Sequence, residues 1–278
     1  LRSRRGSTPA DGGWCVMEGS PLTKVSLVVI TLDEASNIER CLESAKGMGE
    51  IIVVDSYSSD DTPELARRAG AAVFQRPFIS AADQKNWGIR QATHEWVLVL
   101  DADESLSDEL RREIGAAVAR DEMDGYWLKR RNIFLGNRIR FCGWQRDRVL
   151  RLFRRSKGHY PPRAVHERLL LDGTAGRLHG PLDHIPYRDS SDYLDRMKSY
   201  SARGAEDLFN RGAGWFPAIL LNPAARFLRM YILQLGFLDG AAGFELCGMA
   251  AAGVFFKYAR LKELYRTGGG KGRDGRAV

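Results

Sequence analysis

The sequence lacks the cysteine pairs that would indicate a zinc site or a disulfide framework. Its 278 residues include only four cysteines. Cys15, Cys41, Cys142 and Cys247 are widely separated and form no CxxC pair. Structural zinc sites and small disulfide-stabilised domains depend on closely spaced cysteines. Neither is predicted here, and a reducing compartment fits this cysteine usage best.

The sequence also lacks a secretory signal and a long uninterrupted apolar run. Residues 1–23 contain basic residues with no apolar segment after them, so we predict a disordered leader. In the C-terminal third, Arg226, Arg229, Asp239 and Glu245 interrupt the apolar sequence. No run reaches the roughly 18 residues that span a bilayer. The sequence therefore predicts no membrane crossing.

Charge and composition indicate a globular protein with an anionic partner. The chain is 44% hydrophobic and carries a net charge of +7. Between Tyr126 and Arg163 there are twelve Lys or Arg residues and one acid, Asp147. Such a basic segment favours a ligand that carries phosphate or carboxylate. A surface kept basic for solubility is the alternative, and charge alone leaves nucleic acid open.

Apolar runs alternate with helical patterns as far as Leu106. Short β-branched runs predict buried strands, and apolar residues at helical spacing predict the helices between them. This alternation predicts an α/β fold with a parallel sheet covered by helices on both faces, and ligands bind such sheets at the carboxyl ends of the strands. The predicted strands are 24–32, 50–56, 71–77 and 96–102, and the predicted helices are 34–47, 60–70 and 82–95.

Acidic residues follow three of the four predicted strands. Asp101 and Asp103 end the fourth and would point the same way if the chain stays extended. Two carboxylates on one side suit a hard divalent cation, Mg²⁺ or Mn²⁺. Helix capping is the alternative role for Asp60 or Asp61 and for Glu104 or Asp108. The other acids at these strand ends are Asp33 and Glu34, then Asp55, Asp60 and Asp61, and finally Glu104 and Asp108.

Four segments resemble the successive donor-site motifs of family 2 inverting glycosyltransferases, which have the GT-A fold. They are "VVITLDEASNIERCLES", "IIVVDSYSSDDT", "QKNWGI" and "WVLVLDADE". The resemblance is strong from Val25 to Leu106, and four motifs in this order are far more specific than DxD alone. It implies a UDP-sugar donor and a metal held by Asp101 and Asp103.

The same resemblance assigns the donor-binding residues one by one. It implies that the loop from Thr31 to Glu34 holds the base and ribose, that Asp55 contacts uracil or ribose, and that Lys85 lies near the base or diphosphate. His166 is implied as a further contact to the metal or diphosphate, although a lone histidine is more often structural. Two positions depart from the family pattern, because Asp33 stands where Asn is common and Ser56 follows Asp55 where a second acid is common. The full donor set is Thr31, Leu32, Asp33, Glu34, Asp55, Lys85, Asp101 and Ala102.

Inversion at the sugar requires a general base beyond the DxD strand, because the acceptor hydroxyl must lose its proton as it attacks. The candidates are Asp147 in "GWQRDRVLRLFRR" and Glu167 in "RAVHERL". The "VHE" tripeptide is similar to the acceptor-site sequence of lipopolysaccharide-core glucosyltransferases, which favours Glu167. A surface ion pair of Glu167 with Arg163 or Arg168 is the alternative.

The last third changes to a helical, apolar pattern with basic edges. Arg226, Arg229, Lys257, Arg260 and Lys262 border the apolar stretches, as in helices that lie in the interface of an anionic membrane. A helical core packed on the catalytic domain or on a second subunit is the alternative. The similarity of "RFLRMYILQLGFLDGAAGF" and "FFKYARL" to lipopolysaccharide-core transferases favours a peripheral membrane enzyme. We predict a GT-A domain at 24–190, a helical region at 191–265 and a disordered basic tail at 266–278.

These observations predict an inverting, metal-dependent hexosyltransferase. Its donor would be UDP-glucose, and its acceptor an anionic glycolipid such as lipopolysaccharide inner core at the cytoplasmic face of the membrane. A polyprenyl-phosphate glycosyltransferase is the enzymatic alternative. A non-catalytic nucleotide-sugar binder and a nucleic-acid binder are the alternatives from other classes, and the lack of a nucleic-acid-binding motif disfavours the latter. The sequence is compatible with an oligomer.

Overall fold

The computed structural model describes residues 19–161 and 168–267. The chain divides into two compact units. The first contains residues 1–130 and 148–183, and the second contains residues 131–147 and 184–278. Residues 131–147 are thus grouped with the C-terminal helices, which the sequence pattern does not indicate.

The first unit is built on a mixed β-sheet. The strands of this sheet are β1 (Val25–Thr31), β2 (Glu50–Asp55), β3 (Ala72–Gln75), β4 (Trp96–Asp101), β5 (Glu104–Leu106), β6 (Gly125–Phe134), β8 (Arg148–Arg154) and β11 (Ala175–His184). Residues 131–134 of β6 and His184 of β11 are grouped with the second unit. The strands lie in the order β3-β2-β1-β4-β8-β6-β11-β5. β3, β2, β1 and β4 are parallel, which confirms the predicted α/β pattern. β8 pairs antiparallel with both β4 and β6, so the sheet is parallel only in its N-terminal part.

Helices cover this sheet, and the first three of them connect its parallel strands. The helices are α1 (Ala35–Ser44), α2 (Thr62–Arg68), α3 (Ala81–Gln91) and α4 (Asp108–Arg120). Helix α3 lies especially close to the sheet at Gly88, where an added Cβ would stand 2.5 Å from Val28 Cγ1 and 2.9 Å from Val54 Cγ2. Real Cβ atoms do not approach side chains so closely, so the missing side chain of Gly88 is what permits this contact.

A small hairpin completes the first unit. It consists of β9 (Gly158–His159) and β10 (Leu170–Leu171), with His159 paired to Leu170 in antiparallel register. Residues 162–167, between these two strands, lie outside the described residues. The predicted site residues His166 and Glu167 fall in that interval.

The second unit is helical. Its helices are α5 (Ser190–Asn210), α6 (Ala218–Leu228) and α7 (Gly240–Thr267), and a short strand, β7 (Asn137–Arg138), pairs with the end of β6. A π-helical turn at Arg229–Leu233 and a 3-10 turn at Gly236–Asp239 lie between α6 and α7. Its core includes Phe134, Tyr193, Met230 and Leu246. Cys142 and Cys247 are also buried there, with their sulfurs 3.8 Å apart.

One described helix meets the length and composition expected of a membrane span. It covers Gly236–Thr267, and 17% of its most apolar window is buried. The helix runs through Glu245, one of the charged residues that interrupt the apolar sequence. A charged residue does not end a helix, so the helix is longer than the uncharged run in the sequence.

Candidate functional site

Asp33 joins the loops that follow β1 and β2. Its Oδ1 accepts hydrogen bonds from Ser59 N (2.7 Å) and Ser59 Oγ (3.0 Å), and its backbone N–H donates to Ser58 Oγ (2.9 Å). Asp33 has a φ of +55°, a left-handed conformation that aspartate tolerates better than most residues. The predicted donor loop from Thr31 to Glu34 therefore has its shape set by contacts with the second loop. Leu32, beside Asp33, is exposed.

Asp55 is fully buried at the end of β2, and both of its carboxylate oxygens accept hydrogen bonds from the protein. Oδ1 accepts from Thr31 Oγ1 (3.0 Å) and Ser58 Oγ (2.5 Å). Oδ2 accepts from Ser58 N (3.0 Å) and Gln75 Nε2 (3.1 Å). These bonds tie the ends of β1, β2 and β3 together. Asp55 therefore fixes the strand ends that border the predicted nucleotide site.

Asp60 connects the starts of two helices. Its Oδ2 accepts from Ala35 N at the start of α1, and its Oδ1 accepts from Thr62 N at the start of α2, each at 3.0 Å. Burial opposes ionisation, but these hydrogen bonds lower the pKa of Asp60 below its ordinary value. Asp61 occupies the N-cap position of α2 without a side-chain capping bond. Of the two predicted helix caps, Asp60 makes the hydrogen bonds.

The DxD sequence adopts a turn. Asp101 is the last residue of β4, Ala102 and Asp103 form the turn, and Glu104 begins β5. The expectation that Asp101 and Asp103 point the same way assumed an extended chain, and the turn removes that condition. Glu104 is not a helix cap either, because Ser107 caps α4 by accepting a hydrogen bond from Leu110 N at 3.1 Å.

Asp101 forms ion pairs with three basic side chains. Its Oδ1 is 2.9 Å from Lys85 Nζ, and its Oδ2 contacts the guanidinium of Arg151 and lies 3.5 Å from Arg130 Nη2. Burial raises the pKa of Asp101, but the nearby charges of Arg151, Lys85 and Arg130 outweigh that effect and hold the pKa well below its ordinary value. Asp101 is therefore ionised at neutral pH.

Glu104 lies beneath Asp101 and shares its basic partners. It is 0% exposed, and its carboxylate is 2.5 Å from Arg130 Nη2 and 3.1 Å from Arg151 Nη2. Its Oε2 also accepts a hydrogen bond from Asp101 N at 2.9 Å. We call Lys85, Arg130, Arg151, Asp101 and Glu104 the β4 ion cluster. Three cations against two anions give it a formal charge of +1.

Three members of the β4 ion cluster were not predicted from the sequence as site residues. Arg130 and Arg151 lie in β6 and β8, and Glu104 lies in β5. The basic stretch from Tyr126 to Arg163 indicated an abundance of cations, but not which of them would reach the strand end. Glu104 was visible as a third acid in the motif, and helix capping by Glu104 or Asp108 was the alternative given for it.

Lys85 and its neighbour Asn86 link helix α3 to two parts of the site. Lys85 is buried, and its pKa is raised because the attraction of Asp101 outweighs the effect of burial. Asn86 Nδ2 donates to Tyr160 O (2.7 Å), and Asn86 Oδ1 accepts from Tyr160 N (2.9 Å). Lys85 Nζ also lies 5.4 Å from the centre of the Tyr160 ring. The stem that leads into residues 162–167 is thus fixed beside Lys85.

Asp147, the other candidate base, lies in the second unit. Its Oδ2 accepts a hydrogen bond from Asn132 Nδ2 at 3.0 Å. Asn132 Oδ1 in turn lies 2.6 Å from His184 Nδ1. Neither Asn132 nor His184 was singled out from the sequence, because they are 52 positions apart. Asp147 therefore belongs to a polar chain of three side chains.

Within residues 19–161 and 168–267, no group of three His, Cys, Asp or Glu side chains could hold a metal ion. A site of that kind is not required for Mg²⁺, which proteins often bind through one or two carboxylates and the phosphates of a substrate. Asp103 is partly buried in the turn after β4 and has the hard oxygen ligands that such an ion prefers. The residues present fit a metal site that the donor diphosphate completes.

Comparison with known proteins identifies the chain's relatives. The lipopolysaccharide core biosynthesis glycosyltransferase LpsC of Rhizobium meliloti is 28% identical over 255 residues, which are 86% of this chain and 94% of LpsC. An uncharacterized glycosyltransferase of Rickettsia typhi is 27% identical over 261 residues, covering 87% of this chain and 88% of that protein.

Solved structures give more distant matches. Staphylococcus aureus TarS 1–349 in complex with UDP-GlcNAc is 16% identical, with a TM-score of 0.47, over 88% of this chain and 92% of that one.

Residues 26–171, more than half of the chain, match the family described as Glycosyl transferase family 2. This region contains all four donor-site motifs and the whole β4 ion cluster. The chain is therefore a glycosyltransferase with the GT-A fold and belongs to glycosyl transferase family 2.

Proposed function

We propose that the protein is an inverting, metal-dependent hexosyltransferase that moves glucose from UDP-glucose onto an anionic glycolipid such as lipopolysaccharide inner core. The acceptor would lie at the cytoplasmic face of the membrane. The observation that carries this proposal is the β4 ion cluster, a buried group of positive formal charge at the carboxyl end of β4. Its member Asp101 lies two residues before Asp103. Parallel α/β sheets bind their ligands at that end.

The cluster suits a nucleotide diphosphate. Displacement of the diphosphate from the sugar builds negative charge on the leaving oxygen, and fixed cations stabilise charge that develops in this way. Asp101 and Glu104 hold Arg130, Arg151 and Lys85 in place, so the cations need no rearrangement when the donor binds. Because Asp101 is occupied by three cations, we assign it a positioning role and assign the principal metal contact to Asp103. The implied contact from His166 remains a prediction.

A bound Mg²⁺ or Mn²⁺ would neutralise charge on the diphosphate. The chain's own contribution is to shape the nucleotide pocket. Asp33 and Asp55 fix the loops after β1 and β2, and Thr31 is held by Asp55 at 3.0 Å. The base and ribose of the donor would lie against this loop, where Leu32 and Glu34 also stand. Ala102, in the turn, packs into the core of the first unit, so a contact with the donor would come from its backbone.

We assign the general base to Glu167. The support is the position of the stem that leads to it, because Tyr160 is bound by Asn86 directly beside Lys85. Glu167 follows that stem in the sequence, and its carboxylate would accept the proton of the attacking hydroxyl. Asp147 remains the second candidate, although its carboxylate already accepts a hydrogen bond from Asn132.

The proposed acceptor class follows from charge and from similarity. The basic segment from Tyr126 to Arg163 suits phosphate or carboxylate groups on a saccharide. The similarity to LpsC over most of both chains supports a lipopolysaccharide acceptor. The polyprenyl-phosphate alternative is favoured by the exposed apolar residues of the second unit, and it predicts turnover with a lipid phosphate that carries no sugar hydroxyl.

The donor site is tested by calorimetric titration of UDP with and without Mn²⁺. We expect metal-dependent binding in the wild type, loss of that binding in Asp103→Ala, and its retention in Asp108→Ala. Asp108 is a matched control because it is an exposed acid five residues away, at the start of α4. Failure of the wild-type protein to bind UDP with metal would reject a UDP-sugar enzyme. Activity with UDP-glucose and other UDP-hexoses would then identify the sugar.

A further inference from the structure

The helices of the second unit enclose two adjoining clefts with a shared basic wall. One cleft, of about 250 Å³, lies among α5, α6 and α7, and the other, of about 270 Å³, lies between α6 and α7. Arg226, Val254 and Lys257 line both clefts. We call the pair the Arg226–Lys257 cleft. Each of the two clefts is smaller than the roughly 300–1,000 Å³ of clefts that hold whole drug-sized ligands, so each suits a headgroup.

The Arg226–Lys257 cleft is basic. Arg229 adds a third cation to the wall of the second cleft, and the lining residues of both include no Asp or Glu. Arg226, Arg229 and Lys257 form no ion pair with any residue in 19–161 or 168–267. Tyr187, Tyr193 and Tyr200 line the first cleft. Cations without an ion-pair partner, in a cleft that tyrosine residues also line, suit phosphate oxygens.

The position of Lys257 is fixed by helix packing. A Cβ added to Gly204 in α5 would stand 3.0 Å from Lys257 Cδ, so the aliphatic stem of the lysine lies directly on the glycine. Ser201 Oγ donates to Gly253 O at 3.0 Å and holds α5 against α7 at the same level. The ammonium group is therefore delivered into the cleft by a stem with little freedom.

Exposed apolar side chains are concentrated in the unit that contains this cleft. Of twenty exposed large hydrophobic residues among those described, fourteen belong to the second unit, so exposure of this kind is concentrated there. Leu233 is the most exposed of them, at 78%. Phe237 and Phe244, which are also exposed, both pack against the ring of Tyr231. The others in α6, α7 and the turns between them are Leu220, Leu221, Leu228, Ile232, Leu235, Leu238, Phe255 and Phe256.

We propose that this unit docks on an anionic phospholipid bilayer, with a headgroup phosphate in the Arg226–Lys257 cleft and the neighbouring apolar side chains in the acyl boundary. Charge complementarity selects the bilayer over a second copy of the chain. An isologous dimer through this surface would bring Arg226, Arg229 and Lys257 of one copy towards the same residues of the other, with like charges opposed. Anionic lipid offers the opposite charge, and its interior accepts the apolar residues.

The proposal deepens the membrane location given above and does not depend on which sugar is transferred. The experiment is sedimentation of the full chain with vesicles of phosphatidylcholine containing phosphatidylglycerol, and with vesicles of phosphatidylcholine alone, at fixed salt. We compare the wild type with Arg226→Gln/Lys257→Gln. Arg67→Gln/Arg68→Gln is the control, because it removes the same charge from exposed positions on α2 of the first unit.

We expect binding to anionic vesicles that falls roughly tenfold or more in the cleft variant and changes little in the control. Equal losses in the two variants would reduce the effect to net charge and overturn the cleft. Equal binding to neutral vesicles would overturn it as well. Binding of millimolar inorganic phosphate by a protein that does not bind vesicles would indicate a soluble phosphorylated ligand. A dimer in light scattering without vesicle binding would indicate a second copy. Either result overturns the proposal.

Two further measurements separate this proposal from neighbouring hypotheses. Extraction of membranes with alkaline carbonate should release the protein, and retention would instead indicate that the helix Gly236–Thr267 crosses the bilayer. UDP binding should be unchanged in the cleft variant. Loss of vesicle binding with intact UDP binding confines the effect to docking, whereas intact docking without UDP binding would overturn the proposed function alone.

Discussion

Lys85 Nζ lies 2.9 Å from Asp101 Oδ1, and both groups are held inside a cluster of five charged side chains. The lysine comes from helix α3 and the aspartate from the end of β4. Their contact joins the QKNWGI motif to the DxD motif, which are separate in the sequence. We therefore expect the stability of the fold and the affinity for the donor to depend on the same ion pair.

Lys85→Met is expected to lower the free energy of unfolding by about 3 kcal/mol, because it leaves part of a buried charge network uncompensated. It should also weaken UDP binding, since the cluster loses its positive formal charge. Urea denaturation and UDP titration measure the two effects. Lys46→Met, which replaces an exposed lysine after α1, is the control and should leave both unchanged. Wild-type UDP affinity in a folded Lys85→Met protein would remove Lys85 from the donor site.

Acid should weaken the fold through Asp101. Because its pKa in the folded state is depressed, its contribution to stability is fully present above the unfolded value of about 3.9 and is lost as pH falls towards the folded value. The stability difference between wild type and Asp101→Asn should therefore be largest near neutral pH and shrink below about pH 4. Urea denaturation between pH 7 and pH 3 measures it. A difference that stays constant over this range would contradict the prediction.

Glu104→Gln tests the buried floor of the cluster. Glu104 is 0% exposed and faces two guanidinium groups, so its neutralisation is expected to cost about 3–5 kcal/mol of unfolding free energy. Glu109→Gln, at an exposed position in α4, should change stability by less than about 0.5 kcal/mol. Chemical denaturation of the two variants gives the comparison. Equal effects would show that the burial of Glu104 has no energetic consequence.

The assignment of the base is tested by comparing Glu167→Gln with Asp147→Asn. Loss of a general base typically lowers turnover by about 10²–10⁴-fold without removing the donor site. We expect that loss for Glu167→Gln, with UDP affinity retained, and a smaller loss for Asp147→Asn. Turnover numbers with UDP-glucose, measured beside UDP titrations, distinguish the two. The reverse order would transfer the role to Asp147.

The sequence predicted the part of the site that depends on local order. The strand ending at Asp101 follows from hydrophobic periodicity, acids follow three of the four parallel strands in the sequence, and these strands form as expected. Arg130 and Arg151 could not be placed in the same way, because their position depends on pairing between β4, β8 and β6. The register of β6 against β8 shifts between Tyr126 and Trp127, and no local pattern indicates such an irregularity.

The turn at Ala102 and Asp103 shows a second limit. Alternation along a strand predicts which way side chains point only while the strand continues. Here β4 ends at Asp101, where the carboxylate meets three cations from distant parts of the chain. Asp101 and Asp103, identical residue types two positions apart, therefore have different surroundings.

The two hydrogen bonds between Asn86 and Tyr160 couple the motion of two parts of the site. Helix α3 carries Lys85 and, one residue later, holds the stem that precedes residues 162–167. Gly88 seats the same helix tightly on β1 and β2. A small displacement of α3 would therefore move Lys85 and Tyr160 together, and the distance between them would change less than either position. Thermal motion of the helix would in this way leave the spacing of these two residues intact.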